Sequence, residues 1–380
     1  MKKKSLRLIS FVLVMVLLCT QFTVLGEELN INGKSAILIE KETGDVLFEK
    51  DPDVQLPIAS VTKVMTMLLI AEGLDSGKFT LEDMVTTSEY AASMRGSRVF
   101  LEQGEQLSVS DMLKSIAIAS GNDAAVAMAE FIGGTEEGFV QMMNDKAAEL
   151  GMKNTHFVNC NGLDMDGHYS SARDVAIMSR ALLSHESVRP FLNIYMDSLR
   201  DGKFTLANTN KLTRFYEGCT GVKTGSTDQA LYCLSASALR DGMELISVVL
   251  GAPSSQKRFG DGSNMLNYGF NNYGVTKLVT AGEEIAQLPV KNGVTDMAAV
   301  VAETDYAKMM AKANKTQIDK TVDIPAELRA PLKAGEVIGK ITLTSNGETV
   351  GEVNVVVKED IKGASYFKLF GDLFRRWVSK

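Results

Sequence analysis

Ser60-Val61-Thr62-Lys63 sets a hydroxyl and an amine three residues apart at the expected start of a helix, where i and i+3 side chains share a face. A serine hydroxyl is a poor nucleophile until a nearby base takes its proton, and a lysine serves once desolvation or another cation lowers its pKa. Ser254 with Lys257 and Ser365 with Lys368 repeat the spacing, so spacing alone is a weak signal. Ser120-Gly121-Asn122 falls between two helical stretches. Its hydroxyl could relay a proton toward a leaving amine, and its Asn amide could bind a substrate carbonyl while touching Lys63. Taken singly it reads better as a helix-breaking turn with Asn122 or Ser120 as a cap. Lys223-Thr224-Gly225 closes an expected strand, offering a carboxylate a cation and a hydroxyl, with a glycine that lets substrate approach the backbone. Singly, it is a strand running into a turn. The S-x-N and K-T-G triplets each occur once, and the three motifs in this order and setting spell a serine acyl-enzyme site with a lysine base.

The elements that must position these groups are readable along the chain. Ser35 to Lys41 and Asp45 to Lys50 form a hairpin about Glu42-Thr43-Gly44. An apolar helix runs from Ser60 to Glu72 and stops at Gly73. Helices over Asp111 to Ala119, Asp123 to Ile132, Glu136 to Leu150 and Ala172 to Ser184 follow. Gly221 to Thr224, Leu231 to Leu239 and Glu244 to Leu250 read as strands, the last two joined at Asp241-Gly242, and a helix spans Ser255 to Phe270. Strands, helices, strands and a helix in that order predict an α+β domain whose antiparallel sheet is completed by both ends of the chain segment. From Thr276 to Val357 short alternating strands predict a small β-rich domain without a chemical motif. The expected layout is 1–26 leader, 27–275 catalytic domain, 276–360 β-rich domain and 361–380 terminal amphipathic helix.

Composition narrows the partners. The net charge is −7, and removing a leader with Lys2, Lys3, Lys4 and Arg7 would leave −11, which argues against nucleic acid. That basic start, the apolar run from Ile9 to Leu18 and Val24-Leu25-Gly26 read as a secretory signal peptide. Tyr366, Phe367, Phe370, Leu373, Phe374 and Trp377 line one face of the terminal helix beside Lys368, Arg375, Arg376 and Lys380, a pattern suited to a membrane surface. The three histidines, His156, His168 and His185, lack ligand spacing, so neither a metal nor another cofactor is expected. Cys219 and Cys233 flank neighbouring strands, and their pairing stays open.

The residues Leu56 to Lys63, Ala119 to Ala125, Asn161-Gly162-Leu163 with His168 to Asp174, Gly221 to Gly225 and Val248 to Ala252 together resemble the low-molecular-mass penicillin-binding proteins, the serine D-alanyl-D-alanine carboxypeptidase family. The resemblance is strong over about residues 33 to 272. It implies the β-lactamase/DD-peptidase-like fold, with an antiparallel sheet flanked by helices. It further implies that Ser60 attacks the D-Ala-D-Ala carbonyl of peptidoglycan stem peptides with Lys63 as base, and that Ser120 and Asn122 serve proton transfer and substrate holding. Lys223, Thr224 and Gly225 would bind substrate, the backbone N–H groups of Ser60 and Ser226 would form the oxyanion hole, and Arg258 would be a further carboxylate-binding arginine. β-Lactams would acylate Ser60. The protein is expected to be exported and held peripherally at the outer face of the cytoplasmic membrane, or partly secreted. A class A β-lactamase fits less well, since it carries S-D-N and a deacylating glutamate not found between Asn161 and Lys223. A binding-only scaffold need not keep all five polar site residues.

Overall fold

The computed structural model describes residues 29–312 and 318–365. The expected leader and all but the first residue of the Ser365–Lys380 helix lie outside them. From Asn32 on, the chain forms one compact unit. Its first part is built on five strands: β1 (Ser35–Glu40), β2 (Val46–Lys50), β3 (Cys219–Thr227), β4 (Leu231–Arg240) and β5 (Met243–Ala252). They pair in the order β2-β1-β5-β4-β3, antiparallel throughout, so both ends of the segment complete one sheet as the strand–helix–strand order predicts. Asp241 and Gly242 both have positive φ (49° and 77°), the twist a two-residue hairpin turn needs.

Both faces of the central strands are covered, so β1 and β5 are buried along their whole length. One face carries Ile37, Ile39, Ile246, Val248 and Leu250 into a large apolar core shared with the helices. These are α1 (Lys63–Asp75), α2 (Val109–Ala117), α3 (Asn122–Gly133), α4 (Glu136–Glu149) and α5 (Ala172–Leu182). The other face receives α6 (Ser255–Asn272), whose Gly262 and Gly269 sit against Leu234 and against Leu38 and Leu245. Side-chain caps fix several helix starts: Ser108, Thr135, Ser171 and Ser254 each accept a backbone N–H of the first turn. Helix α1 runs two residues beyond the expected stop at Gly73. That glycine does not end the helix; a β-carbon there would lie 2.3 Å from the Phe79 ring, so its role is to admit Phe79.

Beyond α6 the elements among the described residues are strands. β6 (Tyr273–Val279) pairs with β9 (Tyr306–Ala311). β7 (Glu284–Lys291), β8 (Met297–Ala302), β10 (Ile318–Asp323), β11 (Leu328–Arg329), β12 (Val337–Ser345) and β13 (Glu348–Val357) form a sheet in the order β10-β12-β13-β8-β7-β11. Its own apolar core gathers Leu288, Val300, Ile341, Leu343, Val353 and Val355. Among the described residues no helix is long and apolar enough to cross a membrane.

Candidate active site

The nucleophile sits in a 3₁₀ turn, Ala59–Thr62, that leads into α1, rather than in an α-turn as its sequence suggests. Ala59 takes a left-handed conformation (φ 48°) and turns the chain sharply into it. Three residues per turn make i and i+3 side chains eclipse. Lys63 Nζ accordingly lies 3.1 Å from Ser60 Oγ. The same nitrogen donates to Asn122 Oδ1 (2.7 Å) and to the Asn161 carbonyl (2.6 Å). Those two oxygens can only accept, so they take two amine protons and leave the lone pair of a neutral amine for the Ser60 hydroxyl. Burial pulls the Lys63 pKa down to about 7, opposed by Cys160 and Asp123. An amine poised there is neutral often enough at neutral pH to act as a base.

The second motif forms the turn between α2 and α3. The Asn122 amide is held at both ends: its Nδ2 donates to the Arg95 carbonyl (2.5 Å) while Oδ1 accepts from Lys63. Its neighbour Asp123, fully buried, accepts the backbone N–H groups of Val99 and Leu101 and clamps that loop beside the site. Ser120 has φ 62°, and its buried hydroxyl has no hydrogen-bond partner among the described residues.

The third motif lies on β3. A β-carbon on Gly225 would meet the Ile58 carbonyl at 2.7 Å and the Ser60 nitrogen at 2.9 Å. Besides the substrate approach expected from the sequence, this glycine therefore admits the backbone of the nucleophile turn. Lys223 is fully buried, with its amine 3.0 Å from the Thr224 carbonyl. Burial, then the Lys63 and Arg258 charges, hold its pKa well below the ordinary lysine value. Of the two routes by which a lysine becomes a base, desolvation or a neighbouring cation, burial is the first cause at Lys63. Thr224 donates to Thr209 Oγ1 (2.7 Å), and Ser226 stands exposed just beyond Gly225. Arg258 is buried, and its Nη1 donates to the carbonyls of Gly225 (2.8 Å) and Cys233 (3.3 Å) while its Nε has no partner among the described residues.

The structure thus brings Ser60, Lys63 and Asn122 around one amine and packs Gly225, with Arg258 behind it, against the Ser60 backbone. Among the described residues Ser120 makes no side-chain hydrogen bond to any of them. Asn161, Thr209 and Arg95 were missed by sequence reasoning, because two act through backbone carbonyls and the third through a lone hydroxyl. Cys160, Cys219 and Cys233 are free thiols; strand register sets Cys219 opposite Ala238 and Cys233 opposite Gly225, at opposite ends of the ladder. No cluster of metal-binding side chains occurs among the described residues.

The family model of D-alanyl-D-alanine carboxypeptidases matches residues 22–254, and that of the penicillin-binding protein 5 C-terminal domain matches residues 273–363. D-alanyl-D-alanine carboxypeptidase DacF of Bacillus subtilis (strain 168) is 45% identical over 355 residues, covering 92% of this chain and 91% of the relative. D-alanyl-D-alanine carboxypeptidase DacA of Escherichia coli (strain K12) is 34% identical over 364 residues, covering 91% and 89%. Among solved structures, penicillin binding protein 5 from Haemophilus influenzae superposes with a TM-score of 0.69 at 33% identity, covering 88% of this chain and 98% of that one.

Proposed function

The chain belongs to the D-alanyl-D-alanine carboxypeptidase family, and on that premise we propose that it removes the terminal D-alanine from peptidoglycan stem pentapeptides through an acyl-enzyme on Ser60. The observation that carries the reading is the Lys63 amine, buried, drawn down to about 7 and 3.1 Å from the Ser60 hydroxyl. Ser60 Oγ attacks the carbonyl of the penultimate D-alanine as its proton passes to Lys63 Nζ. The backbone N–H groups of Ser60 and Ser226 receive the oxyanion. The C–N bond then breaks, the leaving amine takes a proton by way of Ser120, and D-alanine departs. Water gives a proton to the same lysine and hydrolyses the ester, freeing Ser60.

Asn122 holds the substrate's amide while it orients Lys63. Lys223, Thr224 and Arg258 receive the terminal carboxylate; an anion beside the buried Lys223 restores the charge that burial disfavours, and Arg258 Nε, without a partner among the described residues, is a donor in reserve. β-Lactams acylate Ser60 by the same route. The basic-apolar start of the sequence and the aromatic, basic face of its last residues support export and peripheral attachment to the outer face of the cytoplasmic membrane.

The test is D-alanine release from a stem pentapeptide by the full-length chain in mild detergent, beside Ser60→Ala. Release by the parent and none by the variant is expected. A parent that penicillin labels but that releases nothing sinks the carboxypeptidase reading and makes cross-linked peptide dimers the next substrates to try.

A further inference from the structure

The Asn161 carbonyl that holds Lys63 belongs to a segment with no role in the chemistry so far, and that segment is tied down at every residue. Asn159 is buried, and its Oδ1 accepts the backbone N–H of Gly162 (2.7 Å) and of Asn161 (3.2 Å). Its Nδ2 donates to the Leu163 carbonyl (2.9 Å). Cys160 is anchored on both sides, its N–H donating to Glu136 Oε1 (3.0 Å) and its carbonyl accepting from Thr66 Oγ1 (2.6 Å). Gly162, with φ 88°, presses so closely on the nucleophile turn that a β-carbon would lie 1.9 Å from the Ala59 carbonyl oxygen.

One peptide plane connects these facts. The unit between Asn161 and Gly162 presents its C=O to Lys63 and its N–H to Asn159 Oδ1. A peptide unit is planar, with C=O and N–H pointing oppositely when trans, so fixing one end aims the other. From this geometry we infer that Asn159 is a positioning residue for the base: its carboxamide oxygen aims the Asn161 carbonyl, and that carbonyl orients the Lys63 amine so that its lone pair faces Ser60. The inference rests on Lys63 being the base. Asn159 acts through a backbone group, makes no side-chain hydrogen bond to Ser60 or Lys63 among the described residues, and carries no charge of its own, which is why its type gives no hint of the role.

Two replacements separate positioning from mere support. Asn159→Leu keeps much of the volume and removes the acceptor; Asn159→Asp keeps an acceptor for both N–H groups and adds negative charge near the lysine. The rate of Ser60 acylation by a chromogenic β-lactam is measured against pH for the full-length chain and both variants, with thermal unfolding in parallel. Misplacing a reacting group by about an ångström costs on the order of 100-fold, so Asn159→Leu should acylate about that much more slowly. Losing an aimed carbonyl disfavours the ammonium, and its acid limb should move to lower pH, whereas Asn159→Asp should retain most of the rate and move the limb to higher pH by about half a unit or more. A folded Asn159→Leu with parental rate and midpoint, or both variants slowed with midpoints unmoved, overturns the inference. If Asn159→Leu does not fold, Asn159→Asp decides alone: an unmoved limb refutes it. A parent without an acid limb near neutrality, or a Ser60→Ala variant that is still acylated, instead refutes the assignment of Lys63 and Ser60 themselves.

Discussion

The two parts of the molecule fill their interiors differently. Around the five-stranded sheet, Lys63, Lys223, Asp123, Arg258 and Glu244 are buried. In the β-rich part after α6, the core is Leu288, Val300, Ile341, Leu343, Val353, Val355 and their apolar neighbours, and its ion pairs, such as Lys291 with Glu327 and Lys340 with Glu352, stand at the surface. Burying an ionisable group costs several kcal/mol unless it is neutralised or fully hydrogen-bonded. The first part accepts that cost where it yields a reactive amine; the second has nothing to gain from it. Buried charge therefore separates the part that does chemistry from the part that supports it, more cleanly than size or secondary structure does.

The sharpest way to break this comparison is to remove the buried amine. Lys63→Ala should slow acylation by about 10²- to 10⁴-fold, the usual contribution of a general base, measured as the rate of β-lactam labelling. In the parent, acylation should fall as pH drops through about 7, because protonation takes the lone pair from Lys63. Stability carries the complementary sign. The native state holds fewer protons than the unfolded chain between about 7 and 10.5, so this group's contribution to stability rises with pH across that window. A pH–rate profile flat between 6 and 8, by about a factor of two, would show that burial does not set the base.

Next in size are changes that test packing in the two parts separately. Leu343 is fully buried in the second core, and Leu343→Ala should cost about 2–5 kcal/mol in the denaturant midpoint, with the turnover of the remaining folded enzyme unchanged. A loss of turnover without a shift in midpoint would mean that the β-rich part shapes the site. A matched pair of glycines sharpens the point. Gly162 and Gly347 both have positive φ (88° and 85°), so alanine is strained at either by about 1–2 kcal/mol. A β-carbon at Gly347 meets nothing within 4 Å, while one at Gly162 meets the backbone before Ser60. Gly347→Ala should lower the melting temperature slightly and leave activity alone, and Gly162→Ala should lose acylation even where it still folds. Equal behaviour of the two would show that conformation, not contact, is what those glycines supply.

The motif side chains of the site were legible in the sequence, and the backbone carbonyl that orients Lys63 was not. Ser60, Lys63, Asn122 and Lys223 announce themselves in combination, since the S-x-N and K-T-G triplets each occur once and follow an S-x-x-K in that order. The Asn161 carbonyl has no such mark, because every residue carries one. Gly225 was read as a glycine that lets substrate approach; that the Ile58–Ser60 backbone also lies against it is a contact between segments 165 residues apart that only the fold creates. That both ends of the segment complete one antiparallel sheet was recoverable from the order of strands and helices, but the α1 end was not, because Phe79 rather than any helix-stop signal explains Gly73. The pairing of Cys219 with Cys233 stayed open for the same reason: register decides it, and register puts them at opposite ends of β3 and β4.

The smallest expected effect bears on the surface of the second part. Lys340 Nζ lies 2.8 Å from Glu352 Oε1 across β12 and β13, a short contact between two exposed side chains. The contact holds the Glu352 carboxyl below its ordinary range, through the hydrogen bond first and the charge second. Both groups are in water, where solvent screens their attraction and ordering two long side chains costs entropy. Lys340→Ala should therefore leave the denaturant midpoint where it is, at low and at high salt alike. A clear drop that vanishes at high salt would mean that surface charge does stabilise this sheet, and that the contrast between the two parts is one of degree rather than of kind.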